Sequence, residues 1–164
     1  MADFIGIFTC SLLHEPLASA RTMPFAARVP SVFETAERAP GFVCRGKSQQ
    51  TVDASGHLVK LGYDAVPVFY PDPALVIQTL SVWRDIESVR AYVYSGGHLE
   101  ALRKRADWMV KTVYPQYVLW RRPGADTPLY AEGVARLEHL HAHGPTANAF
   151  TFVQRFKAPA DVAT

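Results

Sequence analysis

The sequence predicts an α+β domain on the ferredoxin-like plan, a split βαβ arrangement in which helices lie on an antiparallel sheet. Two observations predict it. β-rich segments at Phe4 to Leu13 and Leu75 to Trp83 each lead into a helical pattern, and a shorter β-rich segment follows each pattern, at Phe42 to Arg45 and Tyr117 to Arg121. The composition is also that of a globular chain: 164 residues, 49% hydrophobic and 20% charged, enough for one domain spanning residues 1–164 to bury a core.

Each element has its own signature. Phe4 to Leu13 is rich in β-formers and reads as a strand near the sheet centre. Between Ser19 and Arg38, Val29, Val32, Phe33 and Ala36 recur at helical spacing, and Pro30 either kinks this helix or starts it. Pro40-Gly41 ends it. Residues 46–73 are irregular, with three prolines and Ser55-Gly56, and are expected to be an insertion or loop with a small hairpin, a candidate lid. After Leu75 to Trp83, Asp85 is placed to cap a helix whose apolar face is Ile86, Val89 and Val93. Ser95-Gly96-Gly97 breaks it, and a second helix is expected from about His98 to Val113, before Pro115. Leu129 to His143 reads as an amphipathic helix with Val134, Leu137 and Leu140 or His141 inward, and Phe150, Phe152 and Phe156 suggest a last strand. In this plan helices cover one sheet face, so the other is expected to meet a second sheet through a homodimer, or to enclose a ligand.

Composition narrows the function. A net charge of +2 and a pI near 8.6 give no electrostatic footprint for nucleic acid. No apolar run is long enough to span a bilayer, and the N-terminus lacks a basic leader, so no membrane partner and a cytoplasmic location are expected. Cys10 and Cys44 have no metal or disulfide spacing and fall in strands, where inert, reduced thiols are expected. There is no GxGxxG, P-loop or GxSxG motif, so no cofactor is predicted. His139 and His143 are spaced for one helix face, but without HExxH no metal site is predicted.

The candidate site lies between Ser81 and Arg122, which holds all three tryptophans. On a helical wheel Leu99, Leu102, Ala106, Met109 and Val113 form the expected buried stripe, with His98 and Arg105 together on its flank. A neutral imidazole there is suited to act as a base, and a guanidinium to grip an anionic oxygen; the bland alternative is a helix cap and a surface ion pair. Arg103 and Lys104 beside Glu100 and Asp107 read as a solvated face. Trp83, Trp108 and Trp120 serve either as packing or as the rim of a cavity with the indole N–H wet, and Tyr92 and Tyr94 add hydroxyls nearby.

The run Ser81-Val82-Trp83, Asp85, Glu87, Tyr92, Tyr94, His98, Leu102-Arg103, Arg105 and Trp108 resembles a bacterial domain family of unknown function. Val118-Leu119-Trp120, Ala131-Glu132, Arg136-Leu137, Gly144-Pro145-Thr146 and Ala149 to Phe152 extend that resemblance, and Pro40-Gly41-Phe42 supports it more weakly. The family's fold is similar to that of the antibiotic-biosynthesis monooxygenases and other dimeric α/β-barrel proteins. The resemblance implies a homodimeric barrel with a small-molecule pocket between sheet and helices in each subunit. It further implies an enzyme of secondary metabolism, a cofactor-independent monooxygenase or related isomerase or cyclase acting on an aromatic or polyketide-like compound. His98 would be the base and Arg105 or Arg103 would stabilise an enolate or phenolate. Trp83, Tyr94, Trp108, Trp120 and Phe42 would bind the apolar body. A non-catalytic binding or scaffold dimer, and haem binding with His98 as axial ligand, are the alternatives. Two departures stand out: residues 46–73 are longer than the family's usual link, and Trp120-Arg121 replaces a Trp-Trp pair.

Overall fold

In a computed structural model describing residues 3–153, the chain adopts the ferredoxin-like α+β fold. Strands β1 (Phe4–Leu12), β2 (Phe42–Arg45), β5 (Val76–Trp83) and β6 (Tyr117–Arg122) form an antiparallel sheet in the order β2-β5-β1-β6. Ile5 of β1 lies opposite Trp83 of β5 and Arg121 of β6, so side chains of like parity share a face. Helices α1 (Met23–Arg38), α2 (Ile86–Val93) and α3 (Gly96–Trp108) lie on the Ile5, Ile7 and Thr9 face, and α4 (Tyr130–His143) packs on the other. Pro30 sits inside α1; the start falls at Pro24 instead.

Residues 46–73 contain the hairpin β3 (Gln49–Val52) and β4 (Leu58–Gly62). Leu58 and Leu61 pack with Ala26 and Val29 of α1, and with Leu13 and Ile77 at the end of the sheet. The chain then crosses to the α4 side, where the Tyr63 ring lies 4.9 Å from Tyr130 and Phe69 stacks on Tyr114 at 4.4 Å.

Three expectations are corrected. The sheet face left for a partner is covered within one chain: Phe8, Cys10, Leu80, Val118 and Trp120 are buried under Val134, Leu137 and Leu140 of α4 and the Tyr63 to Tyr70 segment. No closed barrel forms, and a second copy is not needed to shield this face. Second, α3 ends at Trp108, not Val113. Met109 is extended and bridges Leu13, and the Val110 N–H donates to Leu12 O at 2.8 Å. The end of β1 thus takes the backbone bonds that a further helical turn would use, and β-branched Val110, Thr112 and Val113 offer that turn little propensity. Val113 is 92% exposed. Third, over its described residues the expected last strand forms one bridge, between Phe150 and Leu119; Phe156 lies outside the described residues.

Two glycines permit the α4 side to close. A Cβ on Gly6 would meet the Trp120 ring at 2.5 Å, and one on Gly133 would meet the Phe8 ring at 2.6 Å. Trp120 lies flat across β1, and α4 sits directly on Phe8.

Candidate functional site

Between the sheet and the three helices of the opposite face lies a cavity of about 550 Å³, within the range of small-molecule sites. Its floor is the inward row of β1, β5 and β6: Ile7, Thr9 and Ser11, Thr79 and Ser81, and Tyr117. The walls are apolar side chains of α1, among them Phe25, Val29 and Phe33, and the α2 residues Val89 and Tyr92. Helix α3 forms the roof with His98, Leu99, Leu102, Arg103 and Arg105. Only Trp108 of α3 is buried, and the helix rests chiefly on α1 and α2.

The polar floor is unusual for strands facing helices. Thr9 and Thr79 share a hydrogen bond of 2.6 Å, and the Ser81 hydroxyl accepts from Trp83 Nε1 at 2.8 Å. These residues look like routine strand alternation in the sequence. Their one available signal was that Thr9, Ser11, Thr79 and Ser81 are polar on the same parity as buried Ile5 and Ile7.

His98 sits in the first turn of α3, its ring 5.1 Å from that of Tyr92. Its Nδ1 lies 2.9 Å from Val93 O. A carbonyl oxygen only accepts, so Nδ1 carries the proton, and in the neutral ring the lone pair belongs to Nε2. Burial lowers the His98 pKa from its ordinary value near 6.5, and the Val93 carbonyl opposes this in part. The result is a half-buried imidazole held neutral in one tautomer. Tyr92 is held neutral as well, its pKa pushed up to about 12 by burial, and its hydroxyl donates to Val32 O at 3.1 Å.

The remaining expected site residues divide. Trp83 lines the cavity but is fully buried, stacked on Tyr92 with ring centroids 5.1 Å apart. Tyr94 is at the mouth, half-exposed, 5.7 Å from the Phe152 ring. Arg103 and Arg105 border the cavity as exposed residues, and Arg105 Nη1 reaches Gln116 Oε1 at 3.4 Å. Phe42, Trp108 and Trp120 are not among the residues that line it. Phe42 packs edge-on behind Trp83 at 5.4 Å. Trp108 anchors the end of α3 against Phe25, with the Arg28 guanidinium 5.6 Å over its ring. Trp120 is on the α4 face, where Nε1 donates to Glu132 Oε1 at 2.7 Å. Arg122 donates to both Glu132 oxygens, at 3.1 and 3.2 Å, so β6 is pinned to α4 by a charge-assisted network.

The charged side chains that border the cavity are of one sign: Arg28, Arg103 and Arg105, with no aspartate or glutamate bordering it among the described residues. None of residues 46–73 borders it either. His139 and His143 face each other at 4.7 Å, but His139 Nε2 is engaged by Thr146 Oγ1, and no three potential metal ligands converge among the described residues. Cys10 is fully buried and its thiol pKa strongly raised by burial. A wider, open groove of about 810 Å³ between α1 and α2 is lined by Glu34, Asp85 and Glu87 among others; its Arg38 pairs with Glu34 on its own helix, and Asp85 caps α2. No described helix is long and apolar enough to cross a membrane.

Fold and site together define a ferredoxin-like α+β protein with a cavity between its sheet and three of its helices. The chain belongs to the family described as a domain of unknown function, DUF3291, whose model matches residues 5–164. No curated protein matches it. Solved structures with a similar trace include a conserved protein from Methanosarcina mazei Go1, 12% identical, with 74% of this chain and 94% of that one covered at a TM-score of 0.49. SnoaB, a cofactor-independent oxygenase from Streptomyces nogalater, is 15% identical over 73% of this chain and 92% of its own, at 0.46. A protein from Nitrosomonas europaea, described as a candidate antibiotic biosynthesis monooxygenase, is 15% identical over 75% and 90%, at 0.45.

Proposed function

We propose that the protein is a small-molecule enzyme that removes a proton from an enolisable aromatic or polyketide-like compound, with His98 as the base. The observation that carries this reading is the His98 imidazole: neutral, fixed in the Nδ1–H tautomer by Val93 O, and bordering an apolar cavity that contains cationic groups and no competing carboxylate. A neutral base in a cavity of positive potential favours formation of an enolate. Arg105 and Arg103 supply that potential, and Trp83, Tyr92 and Tyr94 flank the ring system.

Leu75 to Phe152 resemble a family of unknown function whose fold is similar to that of the antibiotic-biosynthesis monooxygenases, which favours oxygenation as the step that follows. Nε2 takes the proton from the activated CH₂. The enolate passes one electron to O₂, and the resulting pair combines to a C–O bond. His98 returns its proton to the peroxide, and loss of water leaves a carbonyl. In sum, R₂CH₂ and O₂ give R₂C=O and H₂O. Isomerisation or cyclisation would share the first step.

Anthrone is the probe. Oxygen uptake above the uncatalysed background, matched by anthraquinone formation and lowered by about 10²- to 10⁴-fold in His98→Gln, is the expected result. Equal turnover in the variant would overturn the assignment of the base. Anaerobic conversion of the probe would remove the oxygenase reading and leave the base in place.

A further inference from the structure

Two of the three arginines at the cavity have no counter-charge. Arg28 is balanced by Glu100, whose Oε1 lies 3.3 Å from its guanidinium. Arg103 and Arg105 make no ion pair among the described residues, and Arg105 makes only a long contact to Gln116 there. Both are exposed residues of α3 that border the cavity, and we take them to mark its solvent side, while the floor and walls are hydroxyl-bearing and apolar. The positions also matter. Arg105 follows His98 by seven residues on α3, about 10 Å along the helix axis. A charge formed at the carbon next to His98 is therefore not the only anion these groups are placed to meet.

We infer that the substrate is an amphipathic carboxylate, whose aromatic body enters the cavity while its permanent negative charge is held at the mouth by Arg103 and Arg105. The inference rests on the cavity being the substrate site and adds the class of molecule that fills it. A guanidinium fork matches a planar carboxylate with two parallel hydrogen bonds. The separation along α3 places the carboxylate at the end of the molecule away from the reacting carbon. Neutral compounds of the same shape would gain the apolar contacts and leave the guanidiniums with water.

The test is a matched pair of probes, 2-naphthoate and 2-naphthalenemethanol, titrated calorimetrically into the full-length protein, the Arg103→Gln/Arg105→Gln variant and a Lys60→Gln/Lys111→Gln variant that loses equal charge away from the cavity. The expected result is naphthoate binding about ten-fold or more tighter than the alcohol. That preference should be lost with the arginine pair, kept with the lysine pair, and reduced by raising salt from about 0.02 to 0.3 M. Circular dichroism of the arginine variant reports whether it is folded, and unchanged binding of the alcohol reports whether its cavity is intact. Equal affinity for the two probes, a preference that survives loss of both arginines, or binding of neither probe would overturn the inference. Because nothing is turned over, this outcome is independent of the anthrone assay: the carboxylate preference can fail while His98 catalysis stands, and the reverse.

Discussion

The two faces of the sheet are built from the same strands and do different things. On the α4 side, Phe8, Cys10, Val118 and Trp120 are buried against helix side chains, and polar groups that enter are tied off, with Arg122 and Trp120 both on Glu132. On the other side, one residue along β1, Ile7 gives way to Thr9 and Ser11, and α3 spans the space above them instead of filling it. Large side chains that interlock make a face stable. Small hydroxyl residues beneath a lightly anchored helix leave room for a ligand, at some cost in buried apolar area.

Four substitutions and one titration would sharpen or break this contrast. The largest effect belongs to the cavity side: His98→Gln should lose about 10²- to 10⁴-fold in turnover with little change in melting temperature. Next is the α4 side, where Glu132→Ala takes from the 7%-exposed Arg122 its nearer carboxylate, leaving Asp126 at 3.6 Å and the carbonyls of Gly124 and Asp126, and takes from Trp120 Nε1 its acceptor. Urea denaturation should show a loss of about 2–3 kcal/mol, while probe binding at the cavity stays near that of the native protein. Gly133→Ala drives a methyl into the Phe8 ring and should cost about 1–3 kcal/mol, again without changing the cavity's affinity. Thr79→Val should do the opposite. Loss of the 2.6 Å Thr9–Thr79 bond costs about 1 kcal/mol or less, but ligand affinity should change because the floor is altered. If Glu132→Ala or Gly133→Ala impaired binding as much as stability, the two faces would not be separable.

The smallest effect is a pH dependence. The folded His98 pKa lies below its ordinary value near 6.5, so below that pH the unfolded chain binds more protons than the native one. Stability then falls as pH drops from about 6.5 towards the lower folded value and is unaffected above it. His98→Gln should flatten that part of the curve in thermal melts recorded across the window.

Much of the architecture was legible because local signals agree with it. Asp85 caps α2, accepting from the Ser88 N–H at 2.7 Å. Pro40-Gly41 ends α1, and the order of strand and helix patterns specified the sheet. His98 and Arg105 were legible as a flank of α3, and both border the cavity. The assignments that changed turn on contacts between residues far apart in sequence. Three tryptophans of equal apparent promise have three fates: Trp83 lines the cavity, Trp108 pins a helix end, and Trp120 lies on the opposite face. Strand parity could have separated Trp83 from Trp120 only with the register known, since one residue's slip exchanges the faces.

By itself the sequence determined the ferredoxin-like order of elements and the stretch from which α3 and the two strands beside the cavity come, because capping, proline and glycine signals and hydrophobic period act within a few residues. Tertiary structure alone decided that α4 covers the sheet face expected to await a partner, that α3 stops where Met109 joins Leu13, and that Thr9 and Thr79 form a cavity floor. Each of these depends on which distant surfaces meet, and the free energy of that meeting, in buried area and paired backbone groups, exceeds the local preferences it overrides.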